Sequence, residues 1–105
     1  KDYDWNTYLE NGGFWQRQGH IFNSPFYYID YTLAQICAFQ FWKRSRENQK
    51  EAWVDYVNLC KLGGSMSFTR LVKEANLISP FEDGCVQSVV GEIEAWLNTV
   101  KDQKL

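Results

Sequence analysis

The sequence is short of metal ligands: it has one histidine, His20, and three cysteines, Cys37, Cys60 and Cys85, with no CxxC pair. Zinc in proteins is held by closely spaced sets of such ligands, so we predict no metal site built from these 105 residues alone. The odd number of cysteines, each within an apolar helical pattern, favours buried free thiols over a disulfide framework. Free thiols are typical of a reducing compartment, and we therefore expect a cytoplasmic protein.

Positive charge is also scarce, because 11 lysines and arginines stand against 13 aspartates and glutamates, for a net charge of -2. Nucleic-acid binding depends on a positive field, so we predict no nucleic-acid partner. The longest apolar stretch, residues 25–42, contains Asp30, Gln35 and Gln40. A charged residue in the middle of a membrane span is costly, so we predict no membrane partner either.

Aromatic residues, in contrast, are abundant: they make up 17% of the chain, including five tryptophans and six tyrosines. A core of this size does not need so much large flat surface, so part of it is expected to line an interface or a cleft. Self-association through such an exposed aromatic surface is a further expectation.

The chain lacks the two-residue alternation of strands, so we predict an all-α fold of four to six helices around a long central helix, about 25–46. Ser24 as cap and Pro25 at the first helical position favour that start. Further helices are predicted over residues 4–11 with Asp4 or Asn6 as cap, 14–20, 48–62, from Ser67, and from Ser79-Pro80 onward. Within the last of these, Gly91 predicts the close approach of a neighbouring backbone.

The helix over residues 48–62 carries a regular apolar stripe, which is expected to make it amphipathic with one side in the core. The stripe consists of Ala52, Trp53, Tyr56, Val57 and Cys60.

Polar groups on the central helix fall in one arc of about 100° if the helix begins at Pro25. They are Tyr27, Tyr28, Tyr31 and Gln35. His20 lies just before this helix and is expected to fold back beside Tyr27 or Tyr28, an arrangement suited to polarising a carbonyl or stabilising an oxyanion. Spacing equally allows a structural role for these rings. For Asp30 the sequence allows three alternative partners: Arg17, Lys43, or a segment that is not present in this chain.

Several runs carry a resemblance to a known family: ENGGFWQRQ at 10–18, HIF at 20–22 and PFYYIDY at 25–31. Together they are similar to the C-terminal part of the oligoendopeptidase F family, thimet-oligopeptidase-like zinc metallopeptidases that cut short peptides inside a deep helical channel. The similarity continues through YVNLCKLGGS and ISPFEDG, and it is strongest over residues 10–42.

The resemblance implies that the zinc of the parent enzyme is held N-terminal to this region, by a His-Glu-x-x-His helix and a later glutamate that the chain does not contain. It implies catalytic roles for His20, Tyr28 and Tyr31, which would donate hydrogen bonds to the substrate and the oxyanion. Tyr27 and Gln35 are the predicted substrate-binding residues. The sequence departs from thimet-type relatives in having a short linker without glycine before the tyrosines, so the order of Tyr27, Tyr28 and Tyr31 around the zinc stays open.

We therefore predict that residues 1–105 form a single C-terminal helical domain, a fragment of a larger helical peptidase fold. The parent is expected to be a zinc metalloendopeptidase acting on short peptides, and the chain by itself is expected to be inactive. The alternative is a freestanding all-helical protein-interaction module without catalysis.

Overall fold

The computed structural model describes residues 2–100, and all regular structure in that range is helical, with no strand. Six α-helices and one 3₁₀ helix follow one another along the chain. They are α1 (Thr7–Glu10), the 3₁₀ helix (Gly13–Arg17), α2 (Gly19–Asn23), α3 (Ile29–Glu47), α4 (Gln49–Leu62), α5 (Phe68–Glu74) and α6 (Cys85–Leu97). The predicted all-α class is confirmed.

The chain divides into two compact units, the described parts of Lys1–Thr32 and of Leu33–Leu105. The first contains α1, the 3₁₀ helix, α2 and the beginning of α3. The second contains the rest of α3 and the three helices that follow it. Among the described residues of the first unit, only Gly13 is buried, whereas the second unit has an apolar core.

The N-terminal elements agree with the local signals in the sequence. Asn6 caps α1, because its side-chain oxygen accepts a hydrogen bond of 3.1 Å from the backbone N–H of Leu9. Gly12 ends this segment in the left-handed conformation, with φ of 85°. A Cβ atom on Gly13 would collide with the ring of Tyr8, so any other residue here would require that ring to move. The predicted helix over 14–20 is a 3₁₀ helix followed by the separate helix α2.

The central helix begins at Ile29, so the predicted start at Pro25 is wrong. Phe26 has φ of +67°, which is incompatible with a right-handed helix running through this residue. The chain instead forms a turn in which the N–H of Tyr27 donates to the carbonyl of Ser24 at 3.2 Å. The helix ends at Glu47, close to the predicted residue 46.

The predicted start of the last helix, at Ser79-Pro80, is wrong for a related reason. The Ser79 hydroxyl accepts a hydrogen bond from the N–H of Phe81 at 3.3 Å. The backbone carbonyl of Ser79 accepts another from the N–H of Glu82 at 2.9 Å. These bonds close a turn, and α6 begins only at Cys85, after Gly84 with φ of 80°. The expected contact at Gly91 is also absent: no described atom comes within 4 Å of a Cβ placed there.

Helices α4 and α5 confirm the predicted spans. Asn48 caps α4 by accepting a hydrogen bond from the N–H of Glu51 at 3.3 Å, and Gly63 terminates the helix. Ser67 precedes α5 as predicted, although its side chain makes no capping bond. Instead, its hydroxyl lies 3.4 Å from the hydroxyl of Thr69.

A Schellman motif ends α5 and leads the chain into the core. Asn76 is left-handed, with φ of 53°, and its N–H donates to the carbonyl of Lys73 at 3.0 Å. The N–H of Leu77 reaches back to the carbonyl of Val72 at 3.0 Å. The core of the second unit forms at this turn from three buried residues and three partly buried ones: Val72, Ala75 and Leu77, then Cys37, Phe41 and Leu59.

One buried polar side chain, Gln40, joins α3 to the segment after this turn. Its amide nitrogen donates to the carbonyl of Ile78 at 2.9 Å, and its amide oxygen accepts from the N–H of Ile78 at 2.8 Å. One turn later, Arg44 donates to the carbonyl of Ala75 at 3.0 Å and forms an ion pair with Asp55. The Arg44 hydrogen bond lowers the pKa of Asp55 below its usual value. These two polar side chains fasten α3 to the α5–α6 connection.

Only part of the predicted α4 stripe faces the core. Ala52 is 3% exposed, but Trp53 is 63% exposed and Tyr56 is 45% exposed. Gln49, Trp53, Tyr56 and Cys60 recur at helical spacing, and we call them the outer stripe of α4. All three cysteines are free, as predicted, but the predicted burial of Cys60 is wrong, because Cys60 is exposed whereas Cys37 is partly buried and Cys85 is buried. Burial raises the pKa of the Cys37 and Cys85 thiols.

Within residues 2–100, none of the helices is both long enough and apolar enough to span a membrane.

The Gln40 contact generates a stability prediction. Gln40→Leu leaves both backbone groups of Ile78 without these partners, and we expect the free energy of unfolding to fall by about 1–3 kcal/mol. The measurement is urea unfolding of the 105-residue chain followed by circular dichroism. Gln87→Leu, at an exposed position of α6, is the matched control and should change stability by less than about 0.5 kcal/mol. Equal effects of the two substitutions would contradict the structural role of Gln40.

Candidate functional site

The ring of His20 contacts a tyrosine in the first unit. His20 is the second residue of α2, and its side chain is partly buried. Its ring centroid lies 4.4 Å from that of Tyr28, with the two planes tilted by 51°. Its own carbonyl accepts a hydrogen bond from the N–H of Ser24 at 3.1 Å, so the helix that carries His20 leads directly into the following turn.

Tyr31 extends this contact into a group of four rings. Its centroid is 5.9 Å from that of His20 and 5.9 Å from that of Tyr28. Tyr27 meets Tyr31 edge to face, at 5.6 Å with an interplanar angle of 84°. We call His20, Tyr27, Tyr28 and Tyr31 the histidine–tyrosine cluster.

The turn after Phe26 explains how these rings converge. The N–H of Asp30 donates to the carbonyl of Tyr27 at 3.1 Å, and the N–H of Tyr31 donates to the carbonyl of Tyr28 at 3.3 Å. Tyr27 and Tyr28 therefore lie on a tight turn, and only Tyr31 lies on α3. The helical arc expected from the sequence is wrong in its geometry, although three of its members do come together with His20.

The tyrosines of the cluster are accessible to a ligand, because roughly half of each of the three side chains is exposed. Tyr31 raises the pKa of Tyr27, first by hydrogen bonding and then through its charge, with smaller contributions from burial and from Asp30. The cluster thus offers phenol donors and an imidazole at one place on the surface of the first unit.

Two other residues singled out from the sequence lie apart from these ring contacts. Gln35 is exposed and belongs to the second unit, so its substrate-binding role stays a prediction. Asp30 is exposed in the first turn of α3, where a negative charge favours the helix N-terminus. Arg44 and Asp55 form the only ion pair among residues 2–100, so neither predicted ion pair of Asp30 is present in that range.

The sequence analysis did not single out three aromatic residues that form exposed surface of the first unit, Trp15, Phe22 and Phe26. Trp15 and Phe22 stack with centroids 5.5 Å apart, and both rings remain more than half exposed. Phe26 is almost fully exposed, and its left-handed backbone sets the turn. The abundance of aromatics was the only signal for this surface, since a bulky residue at positive φ has no sequence signature of its own.

The part of the chain that the structure describes brings together no group of three or more histidine, cysteine, aspartate or glutamate side chains able to hold a metal ion. His20, the one imidazole, is surrounded by tyrosines rather than by further ligands. These residues therefore do not fit a zinc ion.

No protein-family model matches the sequence, and no curated protein sequence matches it. Several solved structures, in contrast, match this chain. A PZ peptidase A, studied with an inhibitor, is 77% identical over 99% of this chain, with a TM-score of 0.87. A protein described as an oligoendopeptidase F is 68% identical over the full chain, with a TM-score of 0.87. Another so described, from Bacillus anthracis str. Ames, is 59% identical over 95%, with a TM-score of 0.74.

The chain belongs to the oligoendopeptidase F family. It spans only 18% of the PZ peptidase A chain and 19% of each of the other two. The sequence resemblance is thereby confirmed, and the six helices correspond to a fragment of a larger peptidase chain.

In this oligoendopeptidase fragment the contact between His20 and Tyr28 can be observed directly, because the single histidine gives one set of imidazole resonances. Protons near the face of an aromatic ring resonate at lower frequency. We expect Tyr28→Leu to move the His20 signals to higher frequency in a proton NMR spectrum of the 105-residue chain. Tyr31→Leu should have a smaller effect, because its ring is 5.9 Å rather than 4.4 Å from His20.

The control for this measurement is Tyr8→Leu, since the Tyr8 ring lies over Gly13 and its hydroxyl donates to Gln16. If Tyr28→Leu and Tyr8→Leu shift the His20 signals equally, the ring contact is not present in solution.

Proposed function

We propose that this chain is the C-terminal helical domain of a zinc-dependent oligoendopeptidase, and that it supplies the groups that bind the peptide substrate and its oxyanion. The observation that carries the proposal is the convergence of His20, Tyr28 and Tyr31 in a chain 77% identical to part of a PZ peptidase A. The proposed substrates are short peptides, and the proposed location is the cytoplasm.

Peptide hydrolysis is promoted by hydrogen-bond donors beside the carbonyl oxygen, because this oxygen becomes negatively charged when water attacks the peptide carbon. Phenol hydroxyls donate hydrogen bonds, and an imidazole N–H does the same. Donors fixed before the reaction stabilise the oxyanion without reorganising during it. We assign this role to Tyr28 and Tyr31, with His20 as the third donor.

The two tyrosines are held differently, and the difference supports separate duties. Tyr28 lies in the turn and is the nearest ring to His20, at 4.4 Å. Tyr31 lies on α3 and contacts every other ring of the cluster. Tyr27 contacts Tyr31 alone, at the edge of the cluster, so we propose that it binds substrate away from the reacting carbonyl. Gln35 is proposed to bind the peptide backbone.

The zinc ion of the proposal would activate the attacking water, and its ligands would lie in polypeptide outside residues 1–105. Residues 2–100 do not fit a metal, so their part is limited to binding and to hydrogen bonding of the oxyanion. The alternative, a freestanding interaction module, would also expose aromatic side chains. High identity to peptidase chains about five times as long favours the peptidase.

The proposed oxyanion donors generate a kinetic prediction. In the complete enzyme, Tyr28→Phe and Tyr31→Phe should each lower kcat by a factor of about 10²–10³, because one oxyanion donor stabilises the transition state by about 3 kcal/mol. KM should change less, since the donors act chiefly on the developing charge. The assay is cleavage of a quenched fluorogenic oligopeptide. Tyr8→Phe is the control, because its hydroxyl binds Gln16 outside the cluster. Unchanged kcat in both variants would remove the tyrosines from the mechanism.

The missing metal ligands generate a second prediction. The 105-residue chain, given zinc and the same fluorogenic peptide, should show no turnover above the rate of buffer with zinc. The complete enzyme under identical conditions is the positive control. Metal-dependent cleavage by the chain alone would contradict the proposed division of roles between this domain and the rest of the enzyme.

A further inference from the structure

Helix α4 has one apolar arc of about 120°, and only part of it is buried. At one edge of the arc, Ala52 is buried and Leu59 packs against the core formed by Val72, Ala75 and Leu77. Towards the other edge, Trp53 and Tyr56 of the outer stripe are exposed. This part of the apolar face is therefore left without a covering element in residues 2–100.

The outer stripe forms one wall of an aromatic cleft. The Tyr56 ring meets that of Phe41, on α3, edge to face at 5.5 Å, and it lies 5.8 Å from the ring of Trp53. The cleft has a volume of about 560 Å³ and is also lined by Ser45, Gln49 and Lys50. Lys50 is the only charged residue among those described as lining it. This composition, rich in aromatic residues and poor in charge, is typical of a protein-binding surface.

The solved relatives indicate what covers such a surface. At 77% and 68% identity, their chains extend far beyond the region matched here, which is 18% and 19% of their length. More than four fifths of each relative's chain is thus additional polypeptide. A face that is apolar but uncovered in this fragment is where such polypeptide would be expected to pack.

We propose that the oligoendopeptidase chain outside these 105 residues docks an apolar segment into the cleft of Phe41, Trp53 and Tyr56, with an acidic side chain facing Lys50. The inference rests on the proposed function only in requiring that this chain is part of a longer one. It does not depend on the histidine–tyrosine cluster.

Charge argues against a second copy of this chain as the occupant. In a two-fold symmetric dimer, residues near the axis meet their own equivalents. With this cleft at the axis, Lys50 would approach the Lys50 of the other copy, and like charges in an interface disfavour binding. A segment that presents a carboxylate there gains instead.

Cys60 provides a natural probe of the outer stripe. It is exposed, and it lies close enough to Tyr56 to raise the pKa of that hydroxyl, chiefly by hydrogen bonding. The experiment compares the rate of maleimide labelling at Cys60 in the 105-residue chain and in the complete enzyme, by peptide mass spectrometry. We expect Cys60 to react at least about tenfold more slowly in the complete enzyme, because access to a thiol governs its labelling. Cys85, buried in this chain, is the internal reference for unfolding.

A matched control comes from Asn58→Cys in both proteins, since Asn58 is exposed on the opposite side of α4. The proposal is supported if Cys60 alone is protected in the complete enzyme. It is overturned if Cys60 labels equally fast in both proteins, or if the thiol at 58 is protected as strongly as Cys60. Protection of Cys60 in the isolated chain that increases with its concentration would assign the cleft to a second copy, which also overturns it. Labelling requires no activity, so the result is independent of the Tyr28 and Tyr31 variants.

Discussion

The second unit depends on one polar contact, the pair of hydrogen bonds between the Gln40 side chain and the backbone of Ile78. The left-handed turn at Asn76 releases the chain from α5, and the segment that follows has no ladder partner of its own. Gln40 supplies that partner from within α3, and Arg44, one turn further on, holds the carbonyl of Ala75. The apolar core therefore lies between elements whose register is fixed by partly buried hydrogen bonds, which are costly to leave unmade.

Local signals predicted the helices whose ends are decided by one or two residues. The helix predicted over residues 48–62 is confirmed as α4, because a cap such as Asn48 and a terminal glycine such as Gly63 act through neighbouring backbone groups. The serine–proline starts misled for an equally physical reason. A serine hydroxyl that can cap a helix can also close a turn, as Ser79 does, and the sequence alone does not distinguish the two outcomes. Gln40 and Ile78 are 38 residues apart, so no local pattern could have paired them.

At the candidate site, the sequence predicted which residues meet but not how they meet. His20 was expected beside Tyr27 or Tyr28, and its ring contacts that of Tyr28. The expected helical arc failed because Phe26 adopts a left-handed conformation that is rare for a bulky side chain. Helical periodicity also could not tell which part of the apolar arc of α4 is buried. Ala52 and Trp53 are adjacent in sequence, and which one faces the core is decided by the contacts of α5, far along the chain.

The exposure of the histidine–tyrosine cluster bears on the proposed chemistry. Hydrogen bonds to a developing oxyanion are strong where water is excluded and the local dielectric is low, and weak where water competes. In the first unit the tyrosine rings are about half exposed, and only Gly13 among its described residues is buried. On the proposed function, these rings are hydrogen-bond donors that water still reaches in this chain. Polypeptide covering them would exclude that water and strengthen their hydrogen bonds to the oxyanion.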